Sequence, residues 1–161
     1  MRNIRAIALD VDGVLTDGGV WWGPGGQEWK RFSYADIMGV SLGTKAGLLF
    51  ALISGEDSPL VDRFAGKMGI TFFEKNCKDK ASALQRFSAA TAIPSSAIAF
   101  MGDDVNDLGA MELCGFAAAP ANALAAVRER ASFIAKAPGG HGAVREFIDA
   151  ILAARAGKAT S

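Results

Sequence analysis

Two carboxylates, Asp10 and Asp12, close an apolar run at 4–9, and Gly13 follows them. In extended backbone, residues two apart share a side, so both side chains can converge on one point beyond a strand end. Gly13 then lets the chain turn away. Acids placed this way can divide a reaction between them. One attacks as nucleophile while the other moves a proton, provided a cation keeps the attacker ionised. The same residues also describe an Asx-rich turn with no chemistry. Partners elsewhere in the chain decide between the two.

Further positions supply such partners. Ser54-Gly55 directly follows the apolar segment 48–53 and offers a hydroxyl and a flexible backbone amide to phosphate oxygens. Lys80 stands near the start of a helix, after a strand at 71–73, as a point charge for an anionic nucleophile or a phosphate. Gly102-Asp103-Asp104-Val105-Asn106-Asp107 comes straight after the apolar segment 97–101. Oxygen donors without a His or Cys cluster favour Mg²⁺ there. Singly, Ser54 reads as a helix cap, Lys80 as a solvated helix lysine and Asp103 with Asp107 as an acidic helix start. Their shared place at the carboxyl ends of strands selects metal-dependent phosphoryl transfer.

The elements that must position these residues alternate along the chain. Strands are expected at 4–9, 48–53, 71–73, 97–101, 116–119 and 132–134, and helices at 37–46, 59–68, 79–91, 105–114, 121–131 and 143–156. Ser58-Pro59 starts a helix, Gly69 and Gly115 end helices, and Ile93-Pro94 closes another. This order predicts an α/β fold, a Rossmann-like parallel sheet with helices on both faces. Ligands of such sheets sit beyond the carboxyl ends of the strands. One domain is expected over 1–156, with a frayed tail at 157–161. A β-hairpin insertion at 18–33 follows the first strand, turns at Pro24-Gly25-Gly26 and carries all three tryptophans. So small a hairpin cannot bury three indoles against itself; it folds onto the domain or meets another subunit.

Composition narrows the class. The 161 residues are 50% hydrophobic and hold 17 basic and 17 acidic side chains, with no basic stripe for nucleic acid or an anionic membrane. Asp10 interrupts the first apolar run too early for a signal segment, and no stretch reaches the roughly 18 apolar residues of a membrane span. Cys77 and Cys114 lack metal or redox spacing and read as reduced thiols, one of them in the core. A soluble cytoplasmic protein is expected.

Asp10-x-Asp12-Gly13, Ser54-Gly55, Lys80 and Gly102-Asp103-Asp104-x-Asn106-Asp107 resemble, in order, the four motifs of the haloacid dehalogenase superfamily. With the hairpin, Asp36, Ser58 and Gly139-Gly140-x-Gly142-Ala143-Val144-Arg145-Glu146, the pattern runs through nearly the whole chain. It is similar to the capless 3-deoxy-D-manno-octulosonate (KDO) 8-phosphate phosphatases and their sugar-acid relatives, and the spacing leaves no room for a cap domain.

The resemblance implies that Asp10 attacks phosphorus to give an aspartyl-phosphate. Asp12 protonates the leaving sugar oxygen and then activates water. Mg²⁺ is held by Asp10, the Asp12 carbonyl and Asp103, with Asp107 and Asn106 in support. Lys80, Ser54 and the Gly55 amide neutralise the transferring oxygens. Lys78 is a weaker candidate for the lysine, and Asp104 either supports the metal or caps a helix. A homotetramer built through the hairpin is implied, its subunits covering one another's sites. His141, the only histidine, is assigned no catalysis.

The departure is Glu56, where octulosonate phosphatases usually carry arginine. A carboxylate there repels a sugar acid's carboxylate and accepts hydrogen bonds from hydroxyl or amino groups. Glu56 with Lys67 resembles the branch acting on nine-carbon acids, 2-keto-3-deoxynononate or N-acetylneuraminate 9-phosphate. Lys67 or Arg63 would then meet the substrate carboxylate, across a subunit interface if need be. This substrate is preferred, with KDO 8-phosphate as the alternative. A phosphorylatable binding module and a non-catalytic scaffold are the readings from other classes.

Overall fold

The computed structural model describes residues 1–157, so the tail expected at 157–161 lies, Gly157 apart, outside the described residues. Six strands form one parallel sheet in the order β5-β4-β1-β6-β7-β8. They are β1 (Ala6–Leu9), β4 (Leu49–Ile53), β5 (Phe72–Glu74), β6 (Ile98–Met101), β7 (Phe116–Ala119) and β8 (Phe133–Ile134). Strand β1 lies between β4 and β6, with Leu9 beside Leu52 on one side and Met101 on the other. The expected Rossmann-like sheet is present. Its neighbouring central strands all point their carboxyl ends at one edge, which brings Asp10, Ser54 and Gly102 together.

Alternation along the strands divides the core in two. Ile7, Leu9, Leu52 and Met101 face α1 (Tyr34–Lys45), α2 (Pro59–Met68) and α6 (Ala143–Arg155), packing with Val40, Phe64 and Phe147. Ala8, Ile53, Ile98 and Phe100 face α3 (Lys80–Thr91), α4 (Leu108–Leu113) and α5 (Ala125–Arg130), packing with Leu84, Phe87, Met111 and Val127. Each fully buried side chain of this size stabilises the fold by about 1.5–3 kcal/mol. The punctuation at Ser58-Pro59 and Gly69 bounds α2 at the expected residues, since the Ser58 hydroxyl accepts the Leu60 N–H and Gly69 takes a left-handed C-cap with φ 66°. The helix expected at 105–114 instead opens with a 3₁₀ turn, Val105–Asp107, before α4. The one expected at 121–131 shortens to α5, because Pro120 and Asn122 hold a loop.

The hairpin consists of β2 (Trp21–Trp22) and β3 (Glu28–Trp29), which pair antiparallel with Trp21 opposite Trp29. The Gly23 N–H donates to the Gln27 carbonyl at 2.9 Å and closes the turn. Trp21, Trp22 and Trp29 remain 73%, 77% and 53% exposed, so the hairpin does not bury its indoles against the rest of the chain. Between the hairpin and Ser54 lie only α1 and β4, and between Ser54 and Lys80 only α2 and β5; no cap intervenes. Cys77 is buried and Cys114 half-buried, both as free thiols. Among the described residues no helix is long and apolar enough to cross a membrane.

Candidate active site

The turn after β1 is built to bring Asp10 and Asp12 to the sheet edge. Gly13 adopts φ +83°, and a Cβ there would overlap the Asp103 carboxylate, so the position needs glycine on both counts. The buried Thr16 hydroxyl accepts the Gly13 N–H at 3.3 Å and the Gly18 N–H at 3.2 Å, which fixes the loop from inside. Asn122 adds a tie from across the molecule. Its side chain donates to the Gly13 carbonyl at 3.2 Å and accepts the Gly139 N–H at 2.7 Å.

Lys80 is not a solvated helix lysine. Its side chain is 1% exposed, and its Nζ lies 2.9 Å from Asp10 Oδ1 and 2.6 Å from Asp107 Oδ1. Asp107 is fully buried, and its Oδ2 accepts the Asp103 N–H at 2.9 Å and the Asp104 N–H at 3.2 Å. Both Asp107 oxygens are thus engaged in aiming Lys80 and holding the loop after β6. Gly102 permits this closeness, since a Cβ there would collide with the Asp107 carboxyl.

Carboxylate oxygens of Asp10, Asp103 and Asp107 lie within 4.8 Å of one another. Three acids share one ammonium. Burial drives the Asp10 carboxyl well above the ordinary carboxylate range, and Asp107 adds to this against the pull of Lys80. Burial, then Asp107, raises Asp103 to about 6. Burial alone would lower the Lys80 pKa, but Asp10 and Asp107 outweigh it and hold it raised. An excess of buried anionic oxygens calls for a second positive charge. A hard, oxygen-liganded divalent cation such as Mg²⁺ fits, with Asp10 and Asp103 as the acids left open to it.

Around this cluster Asp10, Asp12, Gly18, Gly55, Glu56, Lys80, Asp103, Asp104 and Asn106 enclose a cavity of about 230 Å³. Ser54 is buried just behind it, its hydroxyl accepting the Glu56 N–H at 3.2 Å. Lys78 donates to the Gly55 carbonyl at 3.1 Å and is exposed; it props the loop and leaves the buried position to Lys80. Asp104 proves to be a cap, its carboxylate accepting the Val105 N–H at 2.6 Å while Asp107 reciprocates. Glu56 reaches the cavity. Arg63 and Lys67 do not: they line a separate cavity of about 260 Å³ beside Trp29, Lys30 and Phe32. Within this chain they are not brought to the acids.

Sequence reasoning missed Lys30. It pairs with Asp12 Oδ1 at 2.8 Å and with Glu28 at 3.4 Å. The alternation Glu28-Trp29-Lys30 was the available signal, since it sets both charges on the side opposite Trp29. Arg31 was also overlooked; it donates to the Gly140 carbonyl at 2.9 Å and lies 2.7 Å from His141 Nε2. With Nδ1 of His141 2.9 Å from the Gly139 carbonyl, the histidine fastens the 139–142 loop to the hairpin and does not line the acidic cavity.

A family model described as haloacid dehalogenase-like hydrolase matches residues 49–148. The 3-deoxy-D-manno-octulosonate 8-phosphate phosphatase KdsC of Escherichia coli K12 is 35% identical over 154 residues, 96% of this chain and 82% of that protein. The Haemophilus influenzae protein of the same name is 34% identical over 155 residues, 96% and 86% of the two chains. A crystal structure of the Moraxella catarrhalis phosphatase, in complex with a magnesium ion, a phosphate ion and KDO, superposes with a TM-score of 0.94 at 35% identity, covering 96% of this chain and 89% of the other. The family model begins at β4, whereas each of these three relatives covers 96% of this chain. The chain therefore belongs to the haloacid dehalogenase-like hydrolases, in the family of the KDO 8-phosphate phosphatases, and is a phosphoric monoester hydrolase.

Proposed function

We propose that this enzyme hydrolyses the phosphate monoester of a 2-keto-3-deoxy sugar acid of the KDO 8-phosphate type, through an aspartyl-phosphate on Asp10. The observation that carries the chemistry is the buried Asp10–Lys80–Asp107 cluster beside Asp103, opening on a cavity at the strand ends. Relatives named for KDO 8-phosphate support the substrate class, and thereby the eight-carbon alternative over the nine-carbon preference drawn from Glu56.

In the first step an Asp10 oxygen bonds to phosphorus as the bond to the sugar oxygen breaks, and Asp12 gives that oxygen its proton. In the second, Asp12 takes a proton from water, whose oxygen displaces Asp10 and releases phosphate. Lys80 favours the ionised form of Asp10 against its burial and, with Ser54 and the Gly55 amide, meets the charge on the transferring oxygens. Asp10, the Asp12 carbonyl and Asp103 would hold Mg²⁺, with Asp107 and Asn106 supporting them. The cation supplies electrostatic stabilisation of the phosphoryl oxygens when bound. A second cavity of about 340 Å³, lined by Asp12, Gly18, Val20, Trp22, Glu28, Lys30 and Glu56, adjoins the first and gives the sugar a place beside the acid.

Glu56 favours a second reading. Its carboxylate borders both cavities, where it would accept hydroxyl or amino donors of a nine-carbon acid. Arg63 or Lys67 would then receive the substrate carboxylate from a neighbouring subunit of a homotetramer formed through the hairpin, a cytoplasmic assembly. The deciding experiment is phosphate release with Mg²⁺ from KDO 8-phosphate, 2-keto-3-deoxynononate 9-phosphate and N-acetylneuraminate 9-phosphate, with Asp10→Asn as the inactive control. Highest kcat/KM on KDO 8-phosphate is expected. Preference for a nine-carbon acid would transfer the assignment to the second reading, and turnover of none would remove the sugar-acid class.

A further inference from the structure

We propose that Lys30 is a positioning residue for Asp12, holding one carboxylate oxygen so that the other faces the leaving group. The inference rests on the reading of Asp12 as acid and base. Lys30 lies just beyond β3, and its side chain is only 6% exposed, against 28% for Asp12. Its Nζ lies 2.8 Å from Asp12 Oδ1, which leaves proton transfer to Oδ2. Glu28 stands 3.4 Å from the same ammonium. Lys30 therefore keeps an anionic partner while Asp12 is protonated as well as while it is charged.

Glu28 is itself anchored. Its Oε1 accepts the Ser58 hydroxyl at 3.2 Å, at the N-cap of α2, and its Oε2 accepts the Trp22 indole N–H at 3.3 Å. The line Ser58–Glu28–Lys30–Asp12 thus connects a helix cap to the acid through the hairpin. A short aspartate side chain pivots freely at χ1 and χ2, and a misplacement of about 1 Å costs on the order of 10²-fold in rate. Fixing one oxygen from a buried lysine removes that freedom. The hairpin then serves the chemistry directly as well as any assembly it supports.

The test separates positioning from simple support of the fold. An acid matters for a poor leaving group such as an alkoxide and little for p-nitrophenolate, which departs unprotonated. Leaving-group release in the first turnover, measured by rapid quench, isolates the step that forms the aspartyl-phosphate. Lys30→Met keeps most of the apolar stem. It is expected to slow release from KDO 8-phosphate, and from an alkyl phosphate lacking a carboxylate, by about 10- to 100-fold. Nitrophenolate release should change by less than about threefold, and Lys30→Arg should recover most of the loss. Lys30→Gln provides the same comparison if the methionine variant fails to fold.

Equal slowing of aryl and alkyl substrates would overturn the proposal. So would a change confined to KM for carboxylate-bearing substrates, which would put Lys30 on the substrate instead. Asp12→Asn, measured alongside, must show the same discrimination between leaving groups. If it slows both alike, the acid assignment of Asp12 itself fails, and the role of Lys30 falls with it.

Discussion

Lys80 carries a full charge in a place that water does not reach, and it is tolerated there only because Asp10 and Asp107 flank it. Its type and its place after β5 were readable from the sequence; its burial was not, because a lysine at a helix start is ordinarily solvated. Lys30 escaped notice because a two-residue strand gives alternation too little length to register. Glu56 borders the cavity, whereas Arg63 and Lys67 line a different one beside α2. Spacing along a helix cannot say which neighbour its exposed face will meet.

The acids also set a pH dependence. With its carboxyl raised to about 6 in the metal-free protein, Asp103 binds protons more tightly folded than unfolded. Its contribution to stability therefore declines as pH rises from about 4 to about 6 and is constant above. Binding of a divalent cation needs the same carboxylates charged, so protons and metal compete. Added Mg²⁺ should raise the thermal midpoint more at about pH 8 than at about pH 5. An equal gain at both would remove this cluster as the cation site.

Elements succeed or fail as positioning devices at their ends. Helix α2 matched its expected bounds because Ser58-Pro59 and Gly69 are strong local signals that tertiary packing does not override. The 105–114 segment did not, because Asp104 and Asp107 cap one another across a 3₁₀ turn and the active site holds that turn in place. Helix α6 shows a third case. Its own N-cap, Gly142, has no side chain, and the buried Asp36 of α1 accepts the Gly142 N–H at 3.1 Å and the Arg145 N–H at 2.9 Å instead. Asp36→Ala should lower unfolding free energy by about 1–3 kcal/mol in a urea titration, with kcat nearly unchanged in the folded protein. A loss of kcat without a loss of stability would mean that this cap serves catalysis.

For the molecule as a whole, the alternation of apolar and amphipathic segments was enough to anticipate the sheet, its parallel sense and its two covered faces. The hairpin was anticipated as an element that either folds onto the domain or meets another subunit, and pairing Trp21 with Trp29 leaves both indoles outside. Exposed apolar surface of this kind predicts an interface. Replacing Trp21 and Trp22 by serine should reduce the mass measured by light scattering, whereas an unchanged mass would exclude the hairpin as a subunit contact.

Strand β1 is made before the other five strands of the sheet, yet it lies in the middle, with Ala6 beside Leu49 and Ile98. On the ribosome it must wait for both flanks. At synthesis rates of about 5–20 residues per second, the edge that β6 will cover stays open for on the order of 5 to 20 seconds. During that time the run carrying the nucleophile is an apolar strand edge without a partner, the form most open to pairing with another chain. The same centrality that surrounds Asp10 with catalytic groups leaves one edge of its strand unpaired until β6 has been made.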